Sequence, residues 1–129
     1  MLTIRAAQRT ALARAADDDF VEAMIRRIAS ELPRQYESMG ETGTREFVER
    51  SIAAALRTNV KVDGAVRRLV MLYCEFGERF ELAPARAWAL ELLAQTQVPD
   101  VVRVSLIAER FEAQTLGRPI VRVKAVAVS

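Results

Sequence analysis

Apolar residues recur at intervals of three and four from residue 3 to about residue 116, the spacing of one helix face. Thr3 can cap a first helix with Ile4, Ala7, Ala11, Leu12 and Ala15 on one side. Asp19 and Glu22 then form a D-x-x-E capping box, and Asp17, Asp18 and Asp19 suit a helix N-terminus through the macrodipole. The helix they open carries Val21, Met24, Ile25, Ile28 and Leu32 on one face. Pro33 stops it, because the residue before a proline is steered away from helical dihedrals. One unbroken helix from 4 to 32 is the alternative.

Residues 33–43 read as a connector with one helical turn around Gln35 to Ser38, punctuated by Gly40 and Gly43. Thr44 can cap a third helix with Val48, Ile52, Ala55 and Leu56 inward, ending near Asn59. Asp63 can cap a fourth, whose stripe of Val66, Leu69, Val70, Tyr73 and Phe76, continued by Phe80, is the strongest amphipathic signal in the chain. Gly77 ends or bends that helix. Pro84 suits the first turn of a fifth, with Ala85, Trp88, Ala89 and Leu92 on one face. Pro99 opens a sixth, with Val101, Val104, Ile107, Ala108 and Phe111 inward and Gly117 as its stop. Val102 and Leu106 widen its apolar arc beyond one stripe, which marks a central helix or one that touches a partner.

The pattern changes after Gly117. The segment Ile120 to Val128 is rich in β-branched residues and reads as a strand, with Ile120, Arg122, Lys124 and Val126 on one face and Val121, Val123, Ala125 and Ala127 on the other. No other segment looks like its pairing partner. A lone strand leaves its backbone groups unpaired, so the tail is disordered, docks on its own helices, or adds to a sheet edge of another chain. The expected architecture is all-α: a helical domain over 1–117, a compact bundle of five to six helices, followed by an extended or strand-like tail over 118–129.

Composition narrows the chemistry. At 51% hydrophobic and 129 residues the chain can bury a real core as one domain. With no histidine and one cysteine, Cys74, it holds no Ser-His-Asp or Cys-His arrangement, no histidine-ligated metal site and no disulfide within the chain. No apolar stretch approaches the roughly 20 residues that span a bilayer, and Met1 to Arg5 lacks the basic and apolar regions of a secretory signal. A cytoplasmic protein without cofactor or membrane partner is expected. The net charge of +2 is small, and Lys61 and Lys124 are the only lysines among 19 basic residues. That arginine bias, with abundant alanine, fits a GC-rich genome better than phosphate recognition, which wants a larger and clustered excess.

Each candidate constellation has an ordinary structural reading beside the chemical one. Asp17, Asp18 and Asp19 can hold a cation, but adjacent residues on one turn rarely converge and the spacing of a calcium loop is missing; capping is favoured. Glu75, Glu78 and Glu81 can do acid–base work, but they read as a solvated face. Cys74 lies mid-helix beside an acid, the setting of an inert packed thiol. Arg26-Arg27 and Arg67-Arg68 can contact phosphates, but they lie opposite apolar stripes and so belong on solvated faces. A helix-turn-helix over 44–80 lacks the usual turn glycine and base-reading side chains, which disfavours nucleic acid. Phe76, Phe80 and Trp88 can line a ligand pocket, but without polar groups nearby in sequence they read as core.

The stretch Leu69-Val-Met-Leu-Tyr-Cys-Glu-Phe-Gly-Glu-Arg-Phe80, then Pro84 and Trp88-Ala-Leu-Glu-Leu-Leu93, resembles a family of small helical bacterial proteins encoded beside type VI secretion spike and effector genes. Met1-Leu-Thr-Ile-Arg5, Phe20-Val21 and the Pro33 break resemble their N-terminal half. The resemblance covers residues 1 to 112 at the level of pattern, carries no catalytic motif, and does not extend to the tail. It implies a non-enzymatic adaptor or chaperone that holds an effector or loads it on the spike. An immunity protein against a cognate toxin and a small DNA-binding regulator are the alternatives. The residues expected to meet a protein partner are Val102 and Leu106 on the last helix and Ile120, Val121, Arg122 and Val123 in the tail; self-association remains open.

Overall fold

A computed structural model describes residues 18–115. Five α-helices follow one another among them: α1 (18–31), α2 (Pro33–Arg57), α3 (Asp63–Phe76), α4 (Ala87–Ala94) and α5 (Asp100–Thr115). Two 3-10 turns, Phe80–Leu82 and Pro84–Arg86, link α3 to α4. No strand occurs among the described residues, and the fold is an all-α bundle. The expected first helix over 4–15, the Gly117 stop and the strand-like tail lie outside the described residues.

The α1 stripe is as the spacing predicts: Val21, Met24, Ile25 and Ile28 are buried, joined by Phe20. Pro33 breaks the helix at a single residue, Leu32, whose φ of −130° and ψ of 61° are not helical. The expected connector over 33–43 is instead the first arm of α2. Pro33 occupies its first turn, where a missing N–H costs nothing and the fixed φ is already helical. Gly40 does not open a loop. It kinks α2 at φ 75° and ψ 173°, a region essentially reserved for glycine, and the helix resumes at once. Thr44 is therefore buried inside α2 and caps nothing.

The second arm of α2 is rotated from the expected stripe. Phe47, Val48, Ser51, Ala54 and Ala55 are buried, whereas Ile52 is half-buried and Leu56 is exposed. Its C-terminus is closed by a paired 6→1 and 5→2 arrangement. Val60 N–H donates to the Ala55 carbonyl at 2.8 Å and Asn59 N–H to the Leu56 carbonyl at 3.0 Å. Asn59 supplies the left-handed turn this needs, at φ 64°, and Val60 is buried beneath it.

Helix α3 buries Val66, Leu69, Val70 and Tyr73 as predicted and ends at Phe76, where Gly77 adopts φ 120°. Three contacts set its relation to α5. The Asp100 carboxylate meets Lys61 and Val62 at the start of α3, Arg68 meets Ser105 in the middle, and Phe76 stacks on Phe111 near the end. The two helices therefore run parallel, and α4 belongs to the crossover between them. Val104, Ile107 and Phe111 on α5, Ala89 and Leu93 on α4 and the α3 stripe join the α1 and α2 faces in one core. Ala85, expected inward, is exposed in its 3-10 turn, because α4 proper starts only at Ala87.

Candidate protein-binding site

The first turn of α5 reverses the usual distribution of polar and apolar side chains. Asp100 and Arg103 are buried, Arg103 to 2% exposure, while Val101 and Val102 are open to solvent at 48% and 44%. Leu106, one turn further on, is 42% exposed. At about 100° per residue, Val102 and Leu106 project from the side of α5 opposite Val104, Ile107 and Phe111. Val101 was expected inward and points out instead. Val62, exposed at 51%, is drawn to the same end of the bundle by its bond to Asp100.

The two buried charged groups explain this orientation. The Arg103 Nε donates to the Val98 carbonyl at 2.8 Å. Its Nη1 donates to Leu93 at 2.8 Å and to Thr58 at 3.1 Å, and its Nη2 to Asn59 at 3.0 Å. One planar guanidinium thus closes the carbonyl ends of α2 and α4, where the helix dipoles are negative. Asp100 does the converse for α3. Its Oδ2 accepts the Lys61 and Val62 N–H groups at 2.7 and 2.9 Å. The expected cap, Asp63, is the first residue inside α3 and pairs with Arg67 at 2.8 Å. Burial opposes ionisation of Asp100, but the backbone donors of Val62, Lys61 and Val101, together with the Arg103 charge, outweigh it and hold its carboxyl below the usual value.

At the other end of α5 an aromatic cluster centres on Phe111. Phe76 stacks on it at 4.0 Å, and Phe80 and Trp88 meet it edge-on at 4.8 and 5.3 Å. The guanidiniums of Arg86 and Arg110 cover Phe111 and Trp88 at 4.9 and 4.4 Å. Polar groups do gather here, and they are neighbours of Phe76 and Phe80 in sequence: Tyr73, Arg79 and Glu81. Glu81, expected on a solvated face, is 1% exposed, and its Oε2 accepts Tyr73 Oη–H at 3.0 Å and Arg79 Nε–H at 2.7 Å. The 3-10 turn, entered through a left-handed Arg79 at φ 56°, turns that carboxylate inward. Burial, then the Glu81 charge, raises the Tyr73 phenol above its ordinary value. Glu75 and Glu78 remain exposed, Glu78 in a two-pronged pair with Arg50 at 2.8 and 3.1 Å.

Between α3 and α5 runs an open groove of about 320 Å³, floored by Leu72, Phe76 and Ala108 and edged by Arg68, Glu75, Glu112 and Thr115. Cys74 is half-buried, and burial together with Glu75 pushes its thiol up to about 11. Arg27 pairs with Glu31, Arg67 with Asp63, and Arg68 donates to Ser105, so three arginines of the two basic pairs have protein partners. Among the described residues no three potential metal ligands gather, and no helix is long and apolar enough to cross a membrane.

Comparison with family models, curated proteins and solved structures finds no match. Of the expected partner-binding residues, Val102 and Leu106 share one exposed face, while Ile120, Val121, Arg122 and Val123 lie outside the described residues. Reading by periodicity missed Val62, Val101, Asp100, Arg103 and Glu81. A buried charge leaves no periodic signal, and only its hydrogen-bond partners show that it points inward.

Proposed function

We propose that this chain is a non-enzymatic protein-binding accessory acting in the bacterial cytoplasm. In this reading it is an adaptor or chaperone for a type VI secretion effector or spike component. The observation that carries the binding reading is the first turn of α5, which buries its charges and offers Val101, Val102 and, one turn on, Leu106 to solvent. A lone exposed aliphatic residue is ordinary, but Val102 and Leu106 on one face, with Val101 beside them and Asp100 and Arg103 withdrawn, suit an apolar partner surface. The secretion setting rests on the resemblance of Leu69 to Phe80 and Trp88 to Leu93. The tail adds a second contact by pairing Ile120, Val121, Arg122 and Val123 as a strand on the partner.

Co-purification from the native host with the wild-type chain and a Val102→Glu/Leu106→Glu variant tests this. Recovery of an effector or spike protein by the wild type and its loss in the variant is the expected result. Equal recovery by both refutes the α5 face, and a toxin neutralised at a one-to-one ratio replaces the adaptor by an immunity protein. Deleting residues 118–129 must weaken the complex; unchanged affinity ends the strand-pairing part.

A further inference from the structure

We propose that, in the free chain, the groove between α3 and α5 is the docking site of this chain's own residues Ile120 to Lys124. The inference concerns the chain before any partner is bound and does not depend on the adaptor reading. Three observations converge on that occupant.

The first is position. Thr115, the last described residue of α5, lines the groove, so the tail begins next to the groove's own edge. Gly117 and Pro119 follow directly, residue types that favour a reversal. The second is length. Along α3 the groove runs from Phe76 to Arg68, a rise of about 12 Å at 1.5 Å per residue. The four steps from Ile120 to Lys124 span about 13 Å when extended, so these residues match the groove from end to end.

The third is chemistry. The floor of Leu72, Phe76 and Ala108 is apolar, and the two edges carry opposed carboxylates, Glu75 on α3 and Glu112 on α5. Residues 116–129 contain Arg118, Arg122 and Lys124 and no acid. In an extended segment Val121 and Val123 share the face that meets the floor. Arg122 and Lys124 stand on the other, with stems long enough to bring their charges back to the edges. Arg68, the one basic residue lining the groove, is held on Ser105 at 3.1 Å.

The test is nuclear Overhauser spectroscopy on the full chain with labelled valine methyls. The expected result is contacts from Val121 and Val123 methyls to the Phe76 ring and Leu72 methyls within one molecule. Glu75→Lys/Glu112→Lys must abolish them, and adding Arg122→Glu/Lys124→Glu must restore them. Both glutamates are exposed, so the reversal leaves the fold intact, as far-UV circular dichroism of the variant would confirm. The proposal is overturned if the wild type lacks these contacts or the charge reversal leaves them unchanged. It is equally overturned if a mixed-label sample shows them only between two copies. None of these outcomes bears on the Val102 and Leu106 face, so failure here and failure of the adaptor reading are distinguishable.

Discussion

Replacing Arg103 by methionine keeps the aliphatic stem and deletes the group that ties three elements together. Four carbonyls lose a donor: Thr58 and Asn59 at the end of α2, Leu93 in the last turn of α4, and Val98 in the following loop. Two estimates of the same loss agree. Four bonds at a net of about 1 kcal/mol each give about 4 kcal/mol. A buried cation at a helix C-terminus is worth up to about 2 kcal/mol, and two termini again give about 4 kcal/mol. Domains of this kind have about 5–15 kcal/mol in total, so Arg103→Met should leave a marginal fold. Urea unfolding followed by circular dichroism and by the single tryptophan, Trp88, measures the change. Arg103→Lys keeps the charge without the planar fork and should recover part of the loss. A methionine variant within about 1 kcal/mol of wild type would refute the claim that this guanidinium holds the helix ends.

Asp100→Asn should lower stability at pH 7, and the gap to wild type should close as the pH falls below about 4, near the unfolded carboxylate value. The sign follows from the lowered carboxyl of Asp100, whose contribution is present above the ordinary value and is lost as the folded group is protonated; a gap independent of pH in the same unfolding series would refute it. Gly40→Ala should cost about 1–3 kcal/mol from backbone strain alone, since nothing lies within 4 Å of the added methyl. Val102→Glu and Leu106→Glu should shift stability by no more than about 0.5 kcal/mol each, in contrast to their effect on partner binding. Cys74, with its thiol near 11, should react slowly with a disulfide reagent at pH 8 in the folded chain and rapidly in urea.

The helices were legible wherever burial follows period alone. The α1 and α3 stripes are the expected ones because both helices present one continuous apolar face to the core. The segment 33–43 reads as a connector in the sequence because glycine and proline mark turns on average, while their effect here depends on one dihedral each. Pro33 starts a helix as easily as it stops one, and Gly40 absorbs a kink without opening a loop. In the second arm of α2 the small residues Thr44, Ser51 and Ala54 take the inward face. Hydrophobicity ranks Ile52 and Leu56 above them, but where two helices approach closely the small side chains are the ones that fit.

At the α5 surface Val102 and Leu106 are legible in the sequence, but the buried charge beside them is not. The width of the apolar arc marked them, whereas the buried ends of α2 and α4 that claim Arg103 lie more than forty and about ten residues away. With Val104, Ile107 and Phe111 packed in the core, helix geometry turns positions 102 and 106 to solvent. The packed stripe therefore dictates the direction of those side chains and says nothing about their identity. Serine, lysine or glutamate there would leave all four Arg103 bonds intact and improve solubility. A valine and a leucine at positions free of packing demands are unexplained by the fold, and that surplus is what a partner surface would account for.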